Sequence, residues 1–313
     1  DARCGLLPES ASHEGYLAHP VHAYWDDFWA LAAYRDAAEV ARLRGDDGEA
    51  RQLAATFAAF RADVRASLAR TIAGRGIAWI PGSVEWADFD PTATANAVAL
   101  LDFADDLPRD VLERSLDQYM EGFRRRVRGE VDWNNYSAYE IRIVAALGRL
   151  GRRDDAAELL EFLMADRRPV AWSQWPEISW RDPRSPGHLG DVPHAWISAE
   201  YILAVRSLLV DERSDGTLVL AAGVPARWFA EGGVGVDAMP TRYGTLDYRL
   251  GREADGSFVA EIGGDLAVPP GGIVLRPPCD RPLVRVEVNG SPAAEFDADS
   301  VTIRALPATV RMQ

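Results

Sequence analysis

"AWISAEYILAVRSLLVDERSDGTLVL", residues 195–220, is where the pattern of this chain changes. Up to Val210 the apolar residues recur at helical spacing, and from about residue 215 they alternate with polar ones, as in a strand with one face on a core. The charged, glycine-containing "VDERSDG", residues 210–216, suits a connection and predicts a boundary, with a helical domain over 1–212 and a β domain over 213–313. The helix just before it carries apolar residues on nearly every face, which predicts an element buried on all sides.

Upstream, the spacing predicts about seven helices, at 22–44, 47–73, 91–104, 108–127, 135–150, 153–166 and 193–210. Asp90-Pro91 and Leu107-Pro108 place proline at a first turn, Gly45 and Gly151 follow helix ends, and "GRRDDAAELLEFL" brings acidic residues into a helix start. Short connections between long helices predict antiparallel hairpins. Downstream, "TLDYRLGREADGSFVAEI" sets Leu246, Tyr248 and Leu250 against Phe258, Ala260 and Ile262 across an Asp255-Gly256 turn. "VRVEVNGSP" alternates Val284, Val286 and Val288 before Asn289-Gly290. The expected class is α+β: stacked helical hairpins of a toroid, followed by an antiparallel β-sandwich.

A chain of 313 residues, 48% hydrophobic and 26% charged, has the composition of a folded globular protein with a well-buried core. A net charge of −14 argues against nucleic acid or an anionic membrane as partner, since both reward clustered cations. No apolar run reaches the length of a transmembrane helix, and no signal peptide is recognisable. All basic residues are Arg and none is Lys, which reads as a GC-rich coding bias and hence a bacterial source. The start, "DARCGLLPES", lacks Met and predicts a processed product or a piece of a longer protein; it gives no localisation. Cys4 and Cys279 lie at opposite ends and are expected to be unpaired.

The loops before alternate helices are rich in aromatic and ionisable residues: "HPVHAYWDDFW", "IPGSVEWADFD", "VDWNNYSAYE" and "VAWSQWPEISW". All five histidines fall in two stretches, His13, His19 and His22 in one, His188 and His194 in the other. Aromatic faces with interspersed carboxylates are how proteins hold sugars, whose C–H faces pack on rings while their hydroxyls need polar partners. Glycosidic hydrolysis needs two carboxyl groups on opposite sides of the bond. Glu177, flanked by Trp175, Pro176 and Trp180, is the foremost candidate, and Glu9 is offered as its partner. Candidate substrate contacts are Trp25, Asp26, Asp27, Glu85, Trp86, Trp133, Glu140, Trp175, Trp180, Asp191 and His194, with Asp88 a further carboxylate nearby. His19 and His22 are three apart, but no Cys or second His pair completes a tetrahedral set, so no metal is expected. There is no phosphate loop, dinucleotide fingerprint or nucleophile elbow, and no cofactor is expected.

The succession "AWSQWPEISW", "GDVPHAWISAEYILAVRSLL" and "LVLAAGVPARWFAEGGVGVDAMPTRYGTLDYRL" resembles the C-terminal half of the six-hairpin glycosidases, most closely bacterial α-L-rhamnosidases. The resemblance implies an (α/α)6 barrel followed by a β-sandwich, with Glu177 as general base of an inverting mechanism and His194 at the last inner helix. "AYWDDFWALAAYRDA" looks like the segment where that family has an aspartate facing the sugar, so Asp26 or Asp27 carries over as a substrate contact. The family's cysteine-proline-arginine-acidic motif has no counterpart, and about seven helices fall short of the twelve of a closed ring. The remainder of the barrel is therefore expected in a longer chain, and the general acid is either Glu9 or outside this sequence. Two other readings stand beside this one: a polysaccharide lyase built from a toroid and a β domain, using "DWNNYSAYE" and His194, and a non-catalytic glycan-binding piece.

Overall fold

The structure is a computed structural model of the chain and describes residues 1–12, 15–133, 135–167, 171, 174–180, 191 and 193–313; of 135–138, 178–180 and 231 only the main chain is described. His13, Trp172, His188 and the Trp180 side chain therefore lie outside the described residues. The chain forms two compact units, Asp1–Asn134 and Asn135–Gln313. Its described order is a helical region followed by β-sheets that are largely antiparallel, as the change of period predicts.

The first unit is built on α1 (Tyr24–Leu43) and α2 (Asp47–Arg75). They pack along one another after a turn at Gly45, whose φ of 78° suits a residue without Cβ. Asp46 caps α2 by accepting the Glu49 N–H at 3.0 Å. The buried Tyr24 hydroxyl joins the pair, lying 2.8 Å from both the Ser67 and Thr71 hydroxyls. Phe28 and Phe57 both meet Phe103, at ring separations of 6.5 and 6.4 Å. Helix α3 (Pro91–Ala95) starts where Asp90-Pro91 predicts, with the Asp90 carboxylate accepting from Thr92 and Ala93 N–H. It is shorter than expected because Asn96–Leu100 widens into a π-turn and the chain leaves the helix near Leu101. Helix α4 (Arg109–Val127) buries Val111, Leu112, Leu116, Met120 and Phe123 along one face.

The second unit contains α5 (Ile141–Arg149), α6 (Arg153–Ala165) and α7 (Ala195–Leu209). Residues 135–140 are not the start of a helix as the spacing implied. They form β1 (Asn135–Ser137) and a tight turn at Ala138–Glu140, because β1 pairs with β2 (Ile178–Trp180) in the register Asn135↔Trp180 to Ser137↔Ile178. Helix α7 runs straight into β3 (Val210–Glu212) without a linker. The sandwich continues through β4 (Leu218–Leu220), β5 (Gly233–Thr241), β6 (Gly244–Arg252), β7 (Phe258–Gly263), β8 (Ile273–Leu275), β9 (Val286–Val288), β10 (Ser291–Pro292), β11 (Val301–Ile303) and β12 (Ala308–Met312).

One sheet has the order β10-β9-β12-β7-β6-β5 and the other β11-β8-β4-β3, with β4 and β8 the one parallel pair of strands among the described residues. Both contribute to a single core: Leu218, Leu220, Ile273 and Val301 from the smaller sheet meet Tyr248, Leu250, Ala260 and Ile262 from the larger. The predicted facing of β6 and β7 is found as Tyr248↔Ile262, Leu250↔Ala260 and Arg252↔Phe258. Each large apolar side chain removed from water there contributes about 1.5–3 kcal/mol. Val284 departs from expectation: it is 80% exposed and precedes β9, whose buried valine is Val286.

Helix α7 also departs from expectation. Its buried stripe is Ile197, Tyr201, Ala204 and Leu208, at helical spacing, while Trp196, Ile202, Leu203 and Val205 are exposed. Among the described residues, packing on α5 and the sandwich covers one side of it. That contact is close: a Cβ on Gly148 of α5 or on Gly223 after β4 would run into Leu208. At Gly223 the main chain of Leu208 is also in the way, at 2.9 Å from the added atom, so rotamer changes give no relief. Gly223→Ala is expected to destabilise the protein by about 1–3 kcal/mol, read as a lowered urea midpoint at unchanged slope.

Candidate functional site

In the second unit, the β1–β2 pairing brings the aromatic segments "NYSAYE", residues 135–140, and "QWPEISW", residues 174–180, side by side. Glu177 directly precedes β2, and its N–H donates to the Asp191 carbonyl at 3.3 Å. Tyr139, in the turn between β1 and α5, donates its hydroxyl toward Glu177 Oε1 at 3.5 Å. The same hydroxyl lies 3.1 Å from Nε2 of His194, the residue that opens α7. Carboxylate, phenol and imidazole from three segments thus meet at one oxygen atom. Burial, then the Glu177 charge, outweigh nearby Arg142 and push the Tyr139 hydroxyl up to about 12. It is held as a phenol through the neutral range.

The ring of Tyr139 is fixed from several sides. Arg142, three residues on, places its guanidinium 4.3 Å from that ring and 5.1 Å from the ring of Trp196. Trp196 meets Tyr139 edge-on at 5.8 Å, and His194 does so at 6.1 Å. Glu200, one turn beyond Trp196, accepts at Oε1 from Arg142 Nε and from Trp196 Nε1, each at 2.8 Å. Arg142 and Glu200 are both buried, yet Trp196 is 46% exposed. An indole anchored at its nitrogen but open to solvent is a ready platform for an apolar sugar face.

The first unit holds a second group of candidates. The main chain brings residues 21–24 beside 82–84: Tyr24 N–H donates to the Gly82 carbonyl at 3.0 Å and Val84 N–H to the His22 carbonyl at 3.1 Å. Glu85 then accepts from the His22 main-chain N–H at 2.9 Å and lies 2.8 Å from His22 Nδ1. Burial works to raise Glu85, but these contacts with His22 outweigh it and hold the carboxyl below its usual range. Tyr16 donates to Asp88 at 2.8 Å, and Ser83 donates to the other Asp88 oxygen at 2.6 Å. The half-exposed Trp86 receives the edges of Tyr16 and His19 at 5.5 and 6.1 Å. Among the described residues, Glu9, His22 and Glu85 form the one group of metal-ligand type, with donor atoms within 4.8 Å of one another. The Nδ1 of His22 is already engaged by Glu85 there. His19 and His22 thus have different companions, Trp86 for the first and Glu85 for the second.

Asp26 and Asp27 have unlike surroundings. Asp26 accepts from the Ser12 hydroxyl at 2.8 Å and from the Ser10 hydroxyl. Asp27 is 1% exposed and accepts the Leu7 N–H at 3.0 Å, while its Oδ2 is buried with no hydrogen-bond partner. Burial, reinforced by the Asp26 charge and opposed by the Leu7 N–H and His22, pushes the Asp27 carboxyl up from 3.8 to about 7. The folded state therefore binds a proton that the unfolded state releases. The resulting stability is fully present below pH 3.8 and is lost as pH rises through about 7. Its slope within that window is about 1.4 kcal/mol per pH unit. In urea unfolding between pH 5 and 8, Asp27→Asn is expected to remove this part of the pH dependence; an unchanged dependence would assign it to other groups.

Of the sequence candidates, Glu177, Glu140, Trp175, Asp191 and His194 belong to the second unit, and Glu9, Trp25, Asp26, Asp27, Glu85, Trp86 and Trp133 to the first. Three tryptophans pack in the interior and present no platform. Trp25 lies on Trp29 at 6.0 Å, Trp133 is covered by Arg126 at 4.3 Å, and Trp175 stacks on Tyr201 at 3.5 Å. Glu140 is buried at the head of α5, and the Asp191 side chain is exposed while its carbonyl holds Glu177. Tyr139, Arg142, Trp196 and Glu200 were missed. The four-residue step from Trp196 to Glu200 was a legible signal; Tyr139 sat within a quoted motif, one residue before the glutamate chosen from it.

No family model and no curated protein matches this sequence. Among solved structures, the fold is similar to that of an α-L-rhamnosidase from Dictyoglumus thermophilum, with a TM-score of 0.53 at 12% identity. The match covers 91% of this chain and 31% of the rhamnosidase, so the chain spans about a third of that protein's length. The helical region followed by a β-sandwich is thus an arrangement of rhamnosidase-like fold.

Proposed function

We propose that this chain is the catalytic-base portion of a glycoside hydrolase of the six-hairpin type, acting on O-glycosidic bonds with inversion. The observation that carries this reading is the meeting of Glu177 with Tyr139 and His194 beside the exposed, anchored indole of Trp196. A carboxylate held by a phenol can take the proton of an attacking water, and an open aromatic face can seat the sugar that is attacked. The likeness to an α-L-rhamnosidase makes an α-L-rhamnoside the first substrate to try. The general acid, which serves the leaving oxygen, is either Glu9 or a group outside this sequence.

A lyase reading draws on the 3.1 Å contact between Tyr139 and His194. It is the weaker of the two, because a phenol pushed up to about 12 is a poor proton acceptor at neutral pH. The deciding experiment is an aryl-glycoside panel, α-L-rhamnoside included, with the full-length protein and its Glu177→Gln variant. Hydrolysis that disappears in the variant supports the proposal. Cleavage of a 4-linked polyuronate, offered alongside the panel, to an unsaturated uronate end supports the lyase, and glycan binding without cleavage supports a binding module.

A further inference from the structure

Two segments deliver polar groups, those of Glu177 and His194, to the phenol oxygen of Tyr139, and the hydrogen-bonding capacity of that oxygen limits how they are arranged. A tyrosine hydroxyl has one proton to give, and a carboxylate can only accept. We propose that Tyr139 is the positioning residue of the base: its hydroxyl accepts from His194 Nε2–H and donates to Glu177 Oε1, leaving Oε2 for the attacking water. This rests on the reading of Glu177 as base. Among the described residues, Tyr139 is the side-chain partner of the Glu177 carboxylate, at 3.5 Å, and His194 lies closer on the other side, at 3.1 Å.

The surroundings are built to hold this hydroxyl in place. Arg142 lies against the Tyr139 ring, Trp196 and His194 close its edges, and Glu200 ties Arg142 to Trp196. A ring so confined has little freedom to carry its hydroxyl elsewhere, which is what orienting a general base requires. The raised pKa agrees, since a phenol that keeps its proton can go on donating while Glu177 cycles between charged and neutral forms. His194 then acts through Tyr139 and not on the substrate directly.

Tyr139→Phe keeps every ring contact and removes only the hydroxyl, so the fold is expected to persist. On the glycoside that wild type cleaves, kcat should fall about tenfold to a hundredfold with KM within about twofold, the loss of one hydrogen bond to a charged group. His194→Ala should lower kcat in the wild-type background and add little in Tyr139→Phe, because the two act as a unit. A kcat within twofold of wild type, a change confined to KM, or additive losses in the double variant would each overturn the proposal while leaving Glu177 as base. Full activity of Glu177→Gln, or no glycoside cleaved by wild type, would overturn the base and this proposal with it.

Discussion

Glu177→Gln is expected to lower kcat on the cleaved aryl glycoside by about 10²–10⁴-fold, the usual worth of a general base, with little change in KM. Gln keeps the shape of the side chain and an oxygen that can accept from Tyr139, so the packing around Trp175 and the β1–β2 pair is left alone. What it loses is the capacity to take a proton from water. An external anion that needs no such help gives the sharper diagnostic: azide should restore turnover to Glu177→Gln and yield the inverted glycosyl azide. Restoration is expected only of a variant lacking its base, because a misfolded or substrate-blind enzyme gains nothing from a better nucleophile. Activity within tenfold of wild type, in a variant that unfolds at the wild-type urea midpoint, would remove Glu177 from the mechanism.

The parts of the fold that follow a strict period were legible in the sequence. Helices α1, α2, α4, α6 and α7 begin and end close to where caps, prolines and glycines place them, and the β6–β7 facing follows from alternation and the Asp255-Gly256 turn. Illegible stretches are those where a long-range contact overrides local pattern. Residues 135–140 have helical spacing, but pairing with Ile178–Trp180 draws them into a strand. The site was half legible for the same reason. Glu177 and His194 stand out by their neighbours in sequence, whereas Tyr139, Arg142 and Glu200 matter through contacts across elements that no spacing encodes. Aromatic density was a poor guide to exposure: Trp25, Trp133 and Trp175 sit inside, while Trp196, within an apolar helix, is open to solvent.

The stretch "VDERSDG" shows the same limit most plainly and carries the second large prediction. Its charges look like those of a solvated connection, yet Asp211 is buried and lies between two arginines. Arg149 Nη1 is 3.1 Å from Asp211 Oδ1, with side-chain exposures of 2% and 9%, and Arg213 Nε is 2.7 Å from Oδ2. Arg213 also donates to the Arg149 carbonyl at 3.3 Å, and Tyr248 of the sandwich donates to the Leu209 carbonyl at 2.9 Å. The end of α5 and the start of β3 are therefore joined by buried charge, and the end of α7 is tied to the sandwich by the Tyr248 hydroxyl, where the sequence suited a connection. Taking one partner from a buried pair costs far more than the pair contributes, because the charge left behind has already lost its water. Asp211→Asn is expected to destabilise the protein by about 3–5 kcal/mol. Arg149→Met alone should also be costly, but the double variant should be more stable than the sum of the two losses implies, since neither charge is then stranded. Strict additivity in urea unfolding would mean that the two side chains do not act on each other, and that this ion pair adds nothing to the other contacts that hold helix and sandwich together.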